Sequence, residues 1–149
     1  MSKAFTSEET PDEAPVLRAP PQLEPGEVRY ITPEGHAALV ESLAALKQQR
    51  AANQALPESQ REASAADLEQ RIALLEATLK ILTVRSPDDA PDGRVAFGTW
   101  VKVEDDSGQE ITWRIVGPDE ADARQGLVSV NSPVARALLG HEPGDTVEV

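Results

Sequence analysis

Leu68, Ile72, Leu75, Leu79 and Leu82 recur at steps of 4, 3, 4 and 3, and this spacing constrains the chain more than any other feature. Steps that alternate between three and four return to one side of a helix. The five side chains therefore form a narrow seam of the kind that packs against a single partner helix. The partner lies upstream. Thr32-Pro33-Glu34 opens a helix with a capping hydroxyl, a proline at the first position and an acid beside the N-terminal dipole. Leu39, Leu43 and Leu46 follow on one face. Leu56-Pro57 separates the two stripes, because proline disfavours the α conformation of the residue before it. The expectation is an antiparallel helical hairpin over residues 30–85. Its seam should be dense near the base and thin toward the tip, where Gln48, Gln49, Arg50, Asn53 and Gln54 are residues no core would choose. Ser59-x-x-Glu62 and Ser64-x-x-Asp67 both offer a capping box for the second helix. Leu74 and Ile81 widen its stripe and suit the hairpin base to docking on another surface. Some 22 residues per helix give an arm of roughly 30–35 Å at about 1.5 Å per residue.

The flanks differ in composition. Residues 1–29 carry an APPQLEPGE stretch and an excess of acids, too little apolar surface to offset the entropy of ordering, and read as a disordered tail. Residues 86–93, with two prolines and three acids, read as a linker. Beyond it the period changes to that of strands: residues 95–97, 99–103, 111–116 and 127–130 are strand candidates, with turn chemistry at Asp105-Asp106-Ser107-Gly108. Ser132-Pro133 opens a short helix that Gly140 stops, and residues 146–149 begin another strand. The fold class is α+β: a helical hairpin, then a small domain over residues 94–149 with an antiparallel sheet and one short helix.

The formal charge of −12 over 149 residues argues against a general nucleic-acid binder and against an anionic membrane surface. The absence of cysteine removes disulfides, thiolate zinc sites and cysteine nucleophiles. No apolar run approaches the roughly 20 residues of a membrane helix, and the N-terminus lacks the apolar core of a signal peptide; a cytoplasmic protein is expected. His36 and His141 have no ligand-like neighbours at zinc spacing. There is no phosphate-binding glycine loop and no nucleophile elbow. The acid runs Glu104-Asp105-Asp106 and Asp119-Glu120-Asp122 read as solvated charge rather than metal ligands, though the second lies in a loop long enough to be a binding loop. No catalytic residue, metal or cofactor is expected, and the chain is not expected to be an enzyme.

Three ordered runs carry a resemblance. Val95-Ala96-Phe97-Gly98-Thr99-Trp100-Val101, Arg114-Ile115-Val116-Gly117-x-Asp119-Glu120, and Val130-Asn131-Ser132-Pro133-Val134-Ala135-Arg136-Ala137-Leu138-Leu139 resemble the C-terminal domain of the GreA/GreB transcription elongation factors. Tyr30-Ile31-Thr32-Pro33-Glu34-Gly35 resembles the opening of that family's N-terminal hairpin. The resemblance implies an FKBP-like sheet domain that binds bacterial RNA polymerase at the rim of its secondary channel, with Asn131, Ser132 and Pro133 as the polymerase-contacting turn. It implies a coiled coil entering the channel, and contact with nucleic acid only indirectly, through the elongation complex.

In that family an acidic pair in a Gly-Asp-x-x-Glu-Asn-type tip motif helps hold a second metal for cleavage of backtracked RNA, a task suited to carboxylates because magnesium prefers oxygen ligands. Here the tip has no such run, and its acids are Glu58 and Glu62. The stretch from Thr32 to Gly98 is also about fifteen residues shorter than the family pattern, which shortens the arm by roughly 10 Å. The resemblance therefore implies a regulator of elongation that occupies the channel without stimulating cleavage. The alternative is a cleavage factor using Glu58 and Glu62. A prolyl isomerase, on fold analogy, and an adaptor with some other partner are the further readings. The family continues past its Gly-Asp turn through a hairpin that completes the sheet. This sequence stops at Val149: either the chain is a fragment or natural truncation, or the missing strand leaves an exposed edge, which would invite pairing with another chain.

Overall fold

The computed structural model describes residues 21–89 and 93–149; the expected tail lies outside it over residues 1–20, as do residues 90–92 of the linker. Strand β1 (Arg29–Ile31) leads into helix α1 (Pro33–Asn53), which Thr32 caps by accepting a hydrogen bond from the Gly35 N–H at 3.0 Å. The tail boundary thus falls earlier than expected, since Arg29 is already in a strand. Helix α2 (Glu58–Ile81) begins directly after Pro57 and uses neither capping box. Proline fixes its own φ, and its carbonyl accepts from Gln60 and Arg61, so the turn needs no side-chain cap.

The two helices run antiparallel: Lys47 pairs with Glu76 and, further out, Arg50 with Glu69. At about 1.5 Å per residue the 21 and 24 residues give an arm about 31–36 Å long. The seam differs from the expectation in one respect. Its most buried members are Leu68 and Ile72, on either side of the middle of α2, while Leu39, Leu43, Leu75, Leu79 and Leu82 are half-buried. Asn53, which no core was expected to choose, is only 6 % exposed. Its Nδ2 donates to the Arg61 carbonyl at 3.1 Å and its Oδ1 has no partner among the described residues.

Helix α2 passes straight into β2 (Leu82–Val84), which pairs in parallel with β1, Tyr30 opposite Thr83. A single turn of 3-10 helix follows at Pro87–Asp89. The second sheet contains β3 (Trp100–Glu104), β4 (Glu110–Val116) and β5 (Leu127–Ser129) in that spatial order. It is mixed rather than antiparallel. The tight turn at Ser107-Gly108 sets β3 against β4 antiparallel, with Lys102 opposite Thr112, whereas the loop of residues 117–126 is long enough to return the chain and lay β5 parallel to β4. Helix α3 (Pro133–Leu138) packs on this sheet, with Ala135 and Leu138 buried against Ile115.

Two strand expectations fail. Residues 95–97 are irregular: Val95 exchanges hydrogen bonds with Gly140 and His141, and Phe97 turns into the core. Residues 146–149 pair with no strand among the described residues, although Val147 packs against the core.

Candidate functional site

The hairpin base and the sheet domain meet in a polar clasp made by residues far apart in sequence. From β1, Arg29 donates from Nε and Nη2 to the two carboxylate oxygens of Asp119, at 2.6 and 2.9 Å. The pair is partly buried, and the hydrogen bond to Asp119 holds the Arg29 guanidinium above its already high range. At the helix start, Glu120 accepts from the Thr32 N–H at 2.8 Å, from the Thr32 hydroxyl and from the Gly117 N–H at 2.9 Å. The Thr32 hydroxyl therefore donates to Glu120 while accepting from Gly35, which uses both of its capacities. From β4, Arg114 reaches back to both oxygens of Glu34 at 3.2 Å and donates to the Gly98 carbonyl at 2.9 Å. A hydrogen bond from its own backbone, and then Arg114, hold the Glu34 carboxyl below its ordinary range against a desolvation cost.

Two glycines make this approach possible. A Cβ on Gly117 would collide with the Tyr30 carbonyl oxygen, and one on Gly35 with the Glu120 carboxylate. Apolar contacts seal the same junction: Ile31 is fully buried, and the Tyr30 and Phe97 rings lie 5.8 Å apart with Arg85 over the Tyr30 face. The reading of Asp119-Glu120-Asp122 as a solvated run is therefore corrected. Asp119 and Glu120 are clasp ligands, and Asp122 caps a 3-10 turn through the Arg124 N–H. The clasp was missed because each partner looks ordinary alone. The signal was present in the chain, since Arg29 to Gly35 and Arg114 to Glu120 are the halves that touch.

On the sheet domain, the turn of Asn131, Ser132 and Pro133 joins β5 to α3. Ser132 is inward: its Oγ accepts from the Ala135 N–H at 3.2 Å and its own N–H donates to the Ser129 carbonyl. Asn131 and Pro133 flank it and are exposed. The turn thus presents two outward side chains on a hydrogen-bonded frame.

At the opposite end, Glu58 and Glu62 occupy the first turns of α2, four residues apart and so on one helix face. Both are exposed, and neither carboxylate receives a hydrogen bond among the described residues. No cluster of three or more His, Cys, Asp or Glu positioned to hold a metal occurs among the described residues. Nor is any described helix long and apolar enough to cross a membrane.

The family model described as "Transcription elongation factor, GreA/GreB, C-term" matches residues 90–149. The chain is 39 % identical over 134 residues to "Transcription elongation factor GreA" of Nitratidesulfovibrio vulgaris, covering 80 % of this chain and 84 % of that one. It is 48 % identical over 84 residues to "Transcription elongation factor GreA" of Verminephrobacter eiseniae, covering 55 % of this chain and 53 % of that one. The chain thus spans about half the length of several curated relatives it matches. Among solved structures, GreA factor homolog 1 of Thermus thermophilus aligns over 81 % of this chain and 88 % of that one, at 25 % identity and a TM-score of 0.36; so loose a superposition carries no argument.

Proposed function

The chain belongs to the GreA/GreB family of transcription elongation factors, and we propose that it is a cytoplasmic regulator that docks on bacterial RNA polymerase at the rim of the secondary channel. Its FKBP-like sheet domain makes the contact through Asn131, Ser132 and Pro133, and the helical arm enters the channel. It performs no catalysis of its own and reaches nucleic acid only through the elongation complex.

The clasp is the observation that carries this reading. A docking turn steers an arm only if the two move as one piece, and three polar contacts plus the buried Ile31 join them. Channel occupancy without stimulated cleavage is supported by the tip. A magnesium ligand must stand about 2 Å from its ion, and nothing among the described residues holds Glu58 or Glu62 in a fixed geometry. The alternative, a cleavage factor using those two acids, draws support from their shared helix face. Docking is tested by measuring the affinity of Asn131→Trp for core polymerase. The variant binds at least about tenfold more weakly with an unchanged melting temperature, since Asn131 is exposed and surface changes there cost roughly 0.5 kcal/mol or less. An unchanged affinity would defeat the proposed contact.

A further inference from the structure

The two flanks of the helical arm differ. On one, Lys47 pairs with Glu76 and Arg50 with Glu69 across the helices. On the other, no ion pair joins the two helices among the described residues. There α2 presents Gln60, Ser64, Asp67, Arg71, Leu74 and Thr78, at alternating steps of four and three, about a quarter-turn from the Leu68–Leu82 seam. On the same flank α1 presents Ala38, Ala45 and Ala52. The outer part is an open groove of about 610 Å³ whose lining includes Ala52, Ala63 and Ser64, small enough to let another helix come close. Asn53 lines the groove as well. It is buried, its Nδ2 is committed to the Arg61 carbonyl, and its Oδ1 has no partner among the described residues. Buried acceptors are ordinarily matched, so the groove calls for a donor from outside the single chain.

The row on α2 complements itself when reversed. About a two-fold axis beside Glu69, near the midpoint of α2, Asp67 meets Arg71, Ser64 meets Leu74 and Gln60 meets Thr78. An acid thus faces a base and a small side chain faces a large one. Asp67 and Arg71 pair within their own helix at 3.4 Å, both exposed, and can trade partners. The Thr78 hydroxyl already donates to the Leu74 carbonyl. Gln49 and Arg71, both lining the groove, are the donors a second copy would bring toward Asn53. Charge selects the direction. Residues 86–149 hold 13 acids and 5 bases, whereas residues 31–85 hold 7 acids and 6 bases. A parallel pair would set two acidic sheet domains side by side. An antiparallel pair sets them at opposite ends of the arms, several Debye lengths of about 8 Å apart.

We propose that this flank is a self-association surface, on which a second copy of the chain packs antiparallel to form a four-helix bundle, Asp67 and Arg71 exchanging partners across the axis. The inference is independent of docking on polymerase and is tested on the full chain alone, by sedimentation equilibrium from micromolar to millimolar concentration. A monomer–dimer equilibrium is expected. Asp67→Arg and Arg71→Asp each set like charges across the axis and weaken the dimer at least about tenfold, with helical circular dichroism unchanged. The two substitutions together restore it. The chain has no cysteine, so a nitroxide on Ser59→Cys reports direction. In the antiparallel pair its distance to the second label is roughly 30 Å, the α2 stretch from Ser59 to Leu79 at about 1.5 Å per residue. A chain that stays monomeric to millimolar concentration would overturn the proposal. So would a dimer indifferent to both charge variants, or labels in close contact, as a parallel pair would place them.

Discussion

At the base of the hairpin, Glu120 receives two backbone N–H groups and a hydroxyl, and Asp119 takes two N–H donors of Arg29. At the tip, Glu58 and Glu62 receive nothing among the described residues, and the buried Asn53 amide is satisfied on one side only. The same carboxylate chemistry is structural at one end and uncommitted at the other. A fully matched network fixes an orientation because each lost partner leaves a desolvated group behind, whereas a solvated acid is replaced at almost no cost. The arm is anchored where it must point and unconstrained where it ends.

The largest effect should come from breaking the anchored end. Gly117→Val places a side chain against the Tyr30 carbonyl, a backbone atom that cannot move aside. The variant should lose about 3 kcal/mol or more in urea unfolding. Glu120→Gln is the subtler cut. Both carboxylate oxygens accept; the best placement of the amide keeps its oxygen on the Thr32 and Gly117 N–H groups and sets its NH₂ against Thr32 Oγ1, whose hydroxyl must then accept instead of donating, and all three bonds lose their charged partner. A loss of about 1.5–3 kcal/mol is expected, with amide exchange accelerated in the first turn of α1. A loss confined to the arm would show that the clasp is not what holds the two regions together.

The free end should respond weakly. Asn53→Leu removes a half-satisfied amide and leaves the Arg61 carbonyl near solvent, so stability should change by no more than about 1 kcal/mol, in either direction. A loss beyond about 2 kcal/mol would mean that Asn53 fixes the pairing of the helices, as single buried asparagines do in coiled coils. The smallest effects belong to Glu58→Gln and Glu62→Gln, each expected within roughly 0.5 kcal/mol of the parent in thermal unfolding.

Much of this contrast was legible in the sequence, for reasons of range. The seam from Leu68 to Leu82, the Thr32 cap, the break at Pro57 and the Ser132-Pro133 helix start are set by neighbours within a few residues. The clasp spans some 80 to 90 residues, as between Arg29 and Asp119. No local pattern distinguishes an acid waiting for such a partner from one facing water. The parallel pairing of β5 with β4 was hidden similarly, because strand composition does not report the direction in which a ten-residue loop returns the chain. Asn53 misled by residue type. Its polarity argued for the surface, while its place where the helices converge buried it.

The central claim is that an arm anchored at its base and chemically uncommitted at its tip occupies the polymerase channel without promoting cleavage. The direct measurement uses arrested elongation complexes with magnesium, incubated with this protein alone and then together with an authentic cleavage factor. The account predicts no cleavage above background from the protein alone, and slower cleavage by the authentic factor as the two compete. Prompt cleavage by the protein alone, abolished in Glu58→Ala or Glu62→Ala, would contradict it and establish the tip acids as metal ligands.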